Sequence, residues 1–250
     1  RSMSLRDRKI VVTGGPTREW IDPVRYISNA SSGKMGIALA DAAYTRSMDT
    51  VFIHGPIDAS QIAGRPYRTL AVESTEDLLR AVMGEISGDA VLIMAAAPAD
   101  YRPAERSDKK IKKKSDELRI DLVRNPDILR NVAARKAADP SLAGLFVVGF
   151  AAETHDVESY ALSKLEEKDL DMICLNDVAR EGAGFGTDTN IVIVFTRGGG
   201  RVDFPLMSKK DLASAILDTI ETGLAARTIQ GDRSPSGGPR VSGGGGALPG

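Results

Sequence analysis

The sequence has few of the residues that build metal centres and covalent cross-links. Its 250 residues include one cysteine, Cys174, and two histidines, His54 and His155, which lie far apart in the chain. A single cysteine cannot form an intrachain disulfide or a cysteine-rich zinc site, and this usage suits the reducing cytosol. Two distant histidines argue against a histidine-based metal centre. We therefore expect a cytoplasmic protein that holds no metal through its own side chains.

Long apolar runs and an excess of one charge are also missing. No apolar run approaches the roughly 20 residues that a membrane-spanning helix needs. The formal net charge is −1. Because a near-neutral chain has no general electrostatic attraction for nucleic acid or for an anionic membrane, we expect neither as a partner.

Both ends of the chain are expected to lie outside the folded domain. Residues 1–7 contain no apolar segment that could serve as a signal peptide, and they are interpreted as an expression remnant or N-terminal extension. Residues 226–250 are rich in glycine, serine and proline, a composition typical of disordered segments. The folded domain is therefore expected to occupy residues 8–225.

The chain does contain a regular alternation of apolar runs and amphipathic segments. Buried strands are predicted at 9–13, 50–54, 90–94, 145–150 and 172–175, and helices at 34–46, 74–85, 125–137 and 157–168, with a last helix after 208. Strands that alternate with helices predict a parallel sheet covered on both faces. Right-handed crossovers then give a Rossmann-like, doubly wound α/β fold.

Two segments depart from this alternation and predict an antiparallel hairpin extension. Leu118, Ile120 and Leu122 alternate with charged residues, so their strand should have one solvated face and belong to a hairpin arm. The runs 191–195 and 201–204 flank a glycine triplet, which is the pattern of a hairpin near the sheet edge.

Short polar motifs predict how the helices begin. Ser31 and Ser32 predict a serine cap for the first helix, and 74–77 has the sequence of a capping box. Pro126 is placed for the first helical position of its helix. Ser208 is expected to cap the last helix.

Two glycine motifs near the first strand nearly match nucleotide-binding fingerprints and fail. Gly14 and Gly15 are adjacent and no glycine follows until Gly33, so the Gly-x-Gly-x-x-Gly spacing is absent. Gly33 and Lys34 resemble the end of a P-loop, but Met35 stands where that motif requires serine or threonine. The first helix is delayed by a loop of roughly fifteen residues, and connections of that length are typically functional.

A third partial match is formed by Tyr160 and Lys164, which have the Tyr-x-x-x-Lys spacing of short-chain reductases. Residues four apart share one helix face, and a lysine so placed can assist proton transfer from tyrosine. Such pairs are common by chance and the matching glycine fingerprint is absent. A nucleotide-dependent reductase is therefore an alternative hypothesis, and a nucleotide-binding module without catalysis is another.

Candidate ligand-binding residues follow the predicted strands, at the edge where open α/β sheets bind ligands. After the first strand, small residues at Ser31, Gly33 and Gly36 let backbone amides approach an anion at the start of a helix. Asn29 offers a donor and an acceptor beside that position. The alternative interpretation is an elaborate helix cap.

The segment after the third strand combines small residues with a carboxylate. Residues 95–99 leave room for a ligand against the backbone, and Asp100 follows where a hydroxyl or amine could be bound. A close-packed turn is the alternative.

Two further segments carry lysines. The run 109–114 has five lysines in six positions. It is either a solvated surface loop or a mobile lid that neutralises phosphates. Phe150 ends the fourth strand and can stack on a base or ribose. Lys164 and Lys168 lie one turn apart, where they could hold phosphates or simply face solvent.

Six short strings occur in a fixed order along the chain. They are GPTRE at 15–19, DPVRYISNASSGKMG at 22–36, AAPADYR at 96–102, KIKK at 110–113, NPDI at 125–128 and VGFAAET at 148–154. Over roughly residues 8–222 the series resembles the bacterial phosphopantothenoylcysteine synthetases. These are CTP-dependent phosphopantothenate–cysteine ligases, and in many bacteria they form one half of a bifunctional coenzyme A biosynthesis protein.

The resemblance implies a ligation in two steps. The carboxylate of 4′-phosphopantothenate attacks the α-phosphate of CTP, which releases pyrophosphate and gives an acyl-cytidylate, and the amine of L-cysteine then displaces CMP. Mg²⁺ is expected on the triphosphate rather than in a protein cage. The resemblance also implies a homodimer with shared active sites and a decarboxylase as a fused or separate partner. The lysine run is more similar to the CTP-using bacterial form than to ATP-using relatives.

Roles for individual residues follow from the same resemblance. Asn29 corresponds to an asparagine that handles the acyl-cytidylate, and Arg25 to an arginine that reaches the substrate phosphate of the neighbouring subunit. Lys110 and Lys113 correspond to a flexible motif that closes over the site. Other positions match contacts to CTP (Gly15, Ser31, Gly33, Gly36, Asp100, Lys110, Asn125, Pro126, Asp127, Ile128, Phe150, Lys164, Lys168) or to 4′-phosphopantothenate (Arg25, Asn29, Ala96, Ala97). Pro98 departs from the family pattern, where a less rigid residue is expected.

Overall fold

Eight strands form the central sheet of the computed structural model, which describes residues 4–113, 116–153, 156–177 and 188–231. In chain order the strands are β1 (Ile10–Gly14), β2 (Glu19–Asp22), β3 (Arg25–Ile27), β4 (Thr50–His54), β5 (Arg68–Ala71), β6 (Val91–Met94), β7 (Tyr101–Pro103), β8 (Leu122–Arg124), β9 (Phe146–Glu153), β10 (Met172–Asp177), β11 (Thr189–Thr196) and β12 (Arg201–Ser208). The helices are α1 (Lys34–Tyr44), α2 (Thr75–Glu85), α3 (Ile128–Ala138), α4 (Val157–Glu167) and α5 (Lys209–Gly231), with short 3-10 helices at Leu5–Asp7, Ala59–Gln61 and Pro140–Leu142.

The strand order is that of a doubly wound fold. Across the sheet it runs β12-β11-β10-β9-β6-β1-β4-β5. The six strands from β10 to β5 pair in parallel. If these six are numbered 1 to 6 in chain order and read across the sheet from β5, they have the Rossmann order 3-2-1-4-5-6. β11 and β12 pair antiparallel beyond β10. The predicted Rossmann-like fold with an antiparallel hairpin extension is confirmed.

One parallel strand, β5, lacks any apolar signal in the sequence. Arg68, Thr69 and Ala71 are exposed and only Leu70 is partly buried. The strand forms one edge of the sheet, where backbone pairing with β4 holds it without a buried side-chain face.

Two apolar layers cover the sheet. On one face α1 and α5 pack against alternate strand residues such as Val12 and Val148. On the other face α2, α3 and α4 pack against Val11 and Val147. Cys174 is buried in the first layer, where desolvation raises the pKa of its thiol. Within the described segments no helix is both long enough and apolar enough to cross a bilayer.

The helix starts agree with the polar motifs in two of four cases. The capping box of α2 is confirmed, because Ser74 Oγ accepts the Asp77 N–H at 3.1 Å and Asp77 Oδ2 accepts the Ser74 N–H at 3.1 Å. The cap of α5 is also confirmed, since Ser208 Oγ accepts the Asp211 N–H at 3.1 Å. The prediction of a serine cap for α1 is wrong. The capping residue is Gly33, at a φ of 77°, and it has no side chain that could accept a hydrogen bond.

The start of α3 also differs from the prediction. Asp127 is the capping residue, and its carboxylate accepts the Arg130 N–H at 3.1 Å. Pro126 therefore stands before the cap rather than at the first helical position.

Two short hairpins stand apart from the main sheet. β2 pairs with β3 inside the long connection that follows β1, and β7 pairs with β8. The predicted strand through Leu118, Ile120 and Leu122 forms only from Leu122 onward. Its partner is lost beyond Ala104, because the chain turns toward β2 and the Ser107 N–H donates to the Ile21 carbonyl at 3.0 Å.

The packed structure extends past both expected limits. Leu5 is fully buried in the core layer of α1 and α5, so the described fold begins before residue 8. Helix α5 continues to Gly231, and Arg227 donates to the Ala143 carbonyl at 2.8 Å. Residues 232–250, Lys114 and His155 lie outside the described residues.

Candidate active site

A cavity of about 400 Å³ opens at the carboxyl ends of the parallel strands. It lies beside β1 and β6, where the strand order reverses and where open α/β sheets bind ligands. The start of α1 and the ends of β6, β9 and β10 form most of its wall. The lining residues are Asn29, 31–36, 95–98, Asp100, 150–152, Asn176, Asn190 and Lys209.

The cavity brings together eight of the residues predicted from the sequence. They are Asn29, Ser31, Gly33, Gly36, Ala96, Ala97, Asp100 and Phe150. The other ten predicted residues lie outside this wall: Gly15, Arg25, Lys110, Lys113, Asn125, Pro126, Asp127, Ile128, Lys164 and Lys168. Their positions are described below.

The start of α1 approaches the end of β1 closely enough to require glycine. A Cβ on Gly36 would lie 2.7 Å from Gly14 Cα and 3.1 Å from the Thr13 carbonyl oxygen. Gly33 adopts the left-handed region at a φ of 77°. This close approach sets the N-terminal end of α1, with its backbone N–H groups and positive dipole end, on the cavity wall.

Asn29 is held against the opposite side of the same opening. Its Nδ2 donates to the Ala97 carbonyl at 3.3 Å and to the Pro98 carbonyl at 3.0 Å. Both amide hydrogens are therefore directed at the backbone that follows β6. The side chain is exposed to the cavity yet fixed in orientation.

The backbone after β6 forms a ledge of small residues. The Ala96 N–H donates to Thr13 Oγ1 at 3.2 Å, and the Ala97 N–H donates to the Gly15 carbonyl at 2.9 Å. Gly15 thus joins the ends of β1 and β6 rather than lining the cavity. Because these amides are bonded to the β1 side, the methyl side chains of the ledge are left to line the cavity.

The segment 125–128 supports this ledge from behind. Asn125 is buried, its Nδ2 donates to the Ala99 carbonyl at 2.8 Å, and its N–H donates to the Asp100 carbonyl at 2.8 Å. Ile128, the first residue of α3, is buried in the core. Of this predicted nucleotide-binding segment, Asn125 therefore fixes the cavity wall and Ile128 belongs to the core.

Lys168 pairs with the cap of α3. Its Nζ lies 3.0 Å from Asp127 Oδ2. Burial opposes ionisation of Asp127, but the Arg130 N–H and the Lys168 ammonium outweigh it and lower the pKa of the carboxyl. Both charges are thus neutralised locally, next to the partly buried Pro126.

Lys164 lies in α4, one helical turn before Lys168. Its Nζ is 3.5 Å from Glu167 Oε2 and 5.4 Å from the centroid of the Tyr160 ring. The ammonium therefore contacts the aromatic ring and a carboxylate of its own helix. Neither Tyr160 nor Lys164 lines the cavity, so this pair does not form a reductase-like site with it.

In the described part of the lysine run the backbone is hydrogen-bonded to the β2–β3 hairpin, while the lysine side chains are exposed. Ile111 N–H donates to Asp22 Oδ2 at 3.1 Å, and Arg25 Nη2 donates to the Ile111 carbonyl at 3.1 Å. The Arg25 guanidinium also donates to Asp22, which holds the pKa of this buried carboxyl well below its usual range. Lys110 and Lys113 are exposed.

A family model matches the chain over almost all of its described length. The model is that of the DNA/pantothenate metabolism flavoprotein C-terminal domain, and it covers residues 5–224. The chain belongs to this family. The resemblance inferred from the six strings is therefore confirmed.

Curated relatives of this C-terminal domain are bacterial bifunctional proteins. The chain is 44% identical over 220 residues to the coenzyme A biosynthesis bifunctional protein CoaBC of Vibrio vulnificus, which covers 87% of this chain and 53% of the relative. It is 41% identical over 233 residues to CoaBC of Bacillus subtilis, covering 93% of this chain and 55% of the relative. The chain thus spans about half the length of these relatives.

Solved structures of similar domains have the same fold. The crystal structure of the C-terminal domain of CoaBC matches with a TM-score of 0.71 and 36% identity, over 88% of this chain and 97% of that one. A Cab2 mutant in complex with phosphopantothenate-cysteine matches with a TM-score of 0.67, over 90% and 89% of the two chains. At 14% identity the second match supports the fold alone.

Three polar residues on the β10, β11 and α5 side of this cavity were not predicted from the sequence. Asn176 is the second-last residue of β10, Asn190 lies in β11, and Lys209 begins α5. In the sequence Lys209 stands out only as part of the capping motif of the last helix. An asparagine at the carboxyl end of a buried strand, as at Asn176, is the signal that could have pointed to this side of the cavity.

Proposed function

We propose that this domain joins 4′-phosphopantothenate to L-cysteine in coenzyme A biosynthesis, with CTP as the activating nucleotide. The observation that carries the proposal is the meeting of Asn29, the α1 start and the alanine ledge on one cavity wall. The names of the bifunctional relatives support the same pathway.

The first step forms an acyl-cytidylate. A carboxylate oxygen of 4′-phosphopantothenate attacks the α-phosphorus of CTP, the bond from that phosphorus to the bridging oxygen breaks, and pyrophosphate leaves. Negative charge increases on the transferred group and on the leaving group. The N-terminal end of α1, brought close by Gly33 and Gly36, supplies oriented N–H groups for this charge.

The second step forms the amide. The amine nitrogen of L-cysteine attacks the acyl carbon, the tetrahedral intermediate expels CMP, and the nitrogen loses a proton. Asn29 is fixed beside the ledge by its bonds to Ala97 and Pro98. A rotation of its amide from these carbonyls to the acyl oxygen would stabilise the charge of the intermediate.

Mg²⁺ would neutralise the triphosphate and polarise its phosphorus. The residues on the wall suit a cation carried by the nucleotide, because Asp100 contributes an exposed carboxylate to a wall with few other oxygen ligands. Such a small set of oxygen ligands resembles the usual environment of nucleotide-bound Mg²⁺, which keeps several waters.

A homodimer with shared sites is part of the proposal. Large apolar side chains are exposed on the two small hairpins: Val24 is 56% exposed, Tyr26 42%, Tyr101 46%, Leu122 46% and Val123 40%. Apolar area of this kind favours burial against a second copy. Arg25 lies on the β2–β3 hairpin, outside its own cavity wall, from where it would reach the substrate phosphate of the partner.

A decarboxylase acting on the product is the further partner that we propose. The curated relatives are about twice as long as the matched region and are named as bifunctional. Their other half would consume phosphopantothenoylcysteine.

Pyrophosphate release tests the function directly. The protein is incubated with 4′-phosphopantothenate and Mg²⁺, with CTP or ATP, and with or without L-cysteine. We expect CTP-dependent release that requires 4′-phosphopantothenate, followed by CMP and amide formation when cysteine is added. If folded dimer releases no pyrophosphate with either nucleotide, the ligase proposal is wrong.

A further inference from the structure

Lys209 is a buried cation at the end of the cavity formed by β11 and α5. Its exposed fraction is 8%, it lines the cavity, and its Nζ donates to Asn190 Oδ1. Lysine is rarely buried to this degree without a charged or polar counterpart. A buried ammonium that faces a cavity strongly attracts an anionic ligand, because an opposite charge offsets the cost of its burial.

The surroundings of Lys209 add further positive charge. Lys209 is the first residue of α5, which packs beside α1, so two helix N-termini meet at this end of the cavity. Lys34, the first residue of α1, also lines the cavity and forms an ion pair of 2.7 Å with Asp188. Burial and the repulsion from Lys34 lower the pKa of the Lys209 ammonium, and Asp188 opposes this shift.

Asn176 lies in the same wall, between Phe150 and Asn190 in the order of the strands. Its Oδ1 is buried and has no hydrogen-bond partner within the described residues. A buried acceptor without a partner costs free energy, so a ligand that supplies a donor there is favoured. A simple anion offers no such donor, whereas a nucleoside has hydroxyl and amine groups next to its phosphates.

We propose that Lys209 and Asn190 bind the terminal phosphates of the nucleoside triphosphate and hold the pyrophosphate leaving group during the first step. The proposal rests on the ligase function and deepens it. The nucleoside lies between Phe150 and Asn176, and its phosphate chain extends toward the starts of α1 and α5. Lys209 is then a residue that contacts the leaving group, and not a part of the capping motif alone.

The position of Lys209 separates it from the substrate phosphate. The 4′-phosphate was assigned to Arg25 of a second copy, on a hairpin outside this wall. The terminal phosphates of the nucleotide instead need positive charge inside the cavity, because the α-phosphate must remain within reach of the ledge and of Asn29. Lys209 provides that charge on a rigid element, since Leu212 and Ala213 in the first turns of α5 are fully buried in the core.

The test compares Lys209→Met with Lys210→Met. Lys210 carries the same charge on the next residue, but it is exposed and outside the cavity wall. Dissociation constants are measured by calorimetry for a nucleoside triphosphate, its monophosphate and 4′-phosphopantothenate, each with Mg²⁺. The nucleotide is CTP or ATP, whichever the unmodified protein binds more tightly.

We expect Lys209→Met to weaken triphosphate binding by roughly 10- to 100-fold, the value of one charge-assisted hydrogen bond. Binding of the monophosphate and of 4′-phosphopantothenate should be unchanged, which also shows that the variant is folded. Lys210→Met should bind all three ligands as the unmodified protein does. Asn190→Ala, which keeps the lysine, should weaken only the triphosphate, by a smaller factor.

Three outcomes would overturn the proposal. Unchanged triphosphate binding in Lys209→Met would remove the lysine from the site. Equal losses for the triphosphate and the monophosphate would place it elsewhere on the nucleotide, and a selective loss of 4′-phosphopantothenate would assign it to the substrate. Because these are binding measurements, a protein that showed the expected pattern but released no pyrophosphate would contradict the ligase function and leave the phosphate site standing.

Discussion

Asp22 and Ile111 are joined by a hydrogen bond that connects the β2–β3 hairpin to the lysine run. The buried carboxylate accepts the Ile111 N–H at 3.1 Å, and it also accepts Arg25 Nε at 3.0 Å. Arg25 in turn donates to the Ile111 carbonyl at 3.1 Å. The exposed lysines on either side of Ile111 therefore extend from a fixed point that includes the arginine proposed to reach the partner's substrate.

Replacing Asp22 with Asn should release this fixed point. A neutral amide cannot hold the guanidinium in a charge-assisted pair, and its N–H group would face the Arg25 donors. We expect the Ile111 amide to exchange its hydrogen faster, as measured by NMR or mass spectrometry. The KM for 4′-phosphopantothenate should rise more than the KM for CTP. Unchanged exchange at Ile111 would contradict the anchoring role.

Asn29→Asp should separate the two half-reactions. A carboxylate cannot donate to the acyl oxygen, and its negative charge opposes the developing oxyanion. We expect pyrophosphate release in the first turnover, slow amide formation, and acyl-cytidylate that can be isolated from the enzyme by rapid quench. Tyr160→Phe is the control, because that ring lies outside the cavity, and it should turn over normally. A normal rate in Asn29→Asp would refute the role given to this residue, whereas loss of activity in Tyr160→Phe would revive the reductase hypothesis.

Lys110→Gln should reduce turnover without affecting folding. The side chain is exposed and contributes nothing to either core layer, so its charge is available to a nucleotide phosphate when the run closes over the site. We expect kcat/KM for CTP to fall by at least roughly 10-fold, the value of a charged contact. Thermal unfolding should be unchanged. A large drop in melting temperature would show that the run is structural.

Two glycine substitutions should have opposite effects on stability. Gly36→Ala places a Cβ 2.7 Å from the backbone of Gly14, and the rigid end of β1 cannot move away. We expect a loss of about 1–3 kcal/mol and weaker nucleotide binding. Gly84→Ala lies in the exposed part of α2 with nothing within 4 Å of the added Cβ. It should gain up to about 1 kcal/mol because alanine restricts the unfolded chain and favours helix. Urea unfolding of both variants measures the difference, and a stable Gly36→Ala would contradict the close approach of α1 to β1.

Glu85 should make stability depend on pH in the acid range. Arg68 Nη2 and Lys9 Nζ each lie 2.6 Å from Glu85 Oε2. The hydrogen bond from Arg68, opposed by burial and assisted by Lys9, lowers the pKa of this carboxyl from 4.5 to about 2. Because the folded-state pKa is depressed, the contribution is fully present above pH 4.5 and is lost as the pH falls toward 2. Glu85→Gln should therefore lower the melting temperature at pH 7, and this difference should shrink as the pH approaches 2. Glu105→Gln, at an exposed position, is the control. An equal difference at both pH values would contradict the pairing.

The buried strands could be predicted because each is a continuous apolar run. Val91 to Met94 is buried at every position, and so is Thr50 to His54. β5 could not be predicted, since its exposed residues leave no pattern and only pairing with β4 defines it. The β2–β3 hairpin is hidden for a similar reason, because its short strands bury the polar Glu19 and Asp22 and leave no apolar run.

The two sides of the cavity differed in how far the sequence revealed them. Asn29, Gly33 and Ala97 follow predicted strands within short, distinctive strings, and they do line the cavity. Lys209 is one of two adjacent lysines in a capping motif, and only the docking of α5 buries the first and exposes the second. Periodicity along one helix cannot supply that distinction without the neighbouring β11, where Asn190 meets the lysine.

The placement of Lys209 at the start of α5 also determines when the cavity becomes complete during synthesis. Asn29 and the α1 start leave the ribosome before Lys209, which follows about 180 residues later. A nascent chain therefore carries the anchoring asparagine long before it has the buried cation, and the complete cavity cannot exist until β11, β12 and α5 have been synthesised and docked. Nucleotide added to stalled chains of increasing length should consequently be retained only by those in which the last helix has emerged.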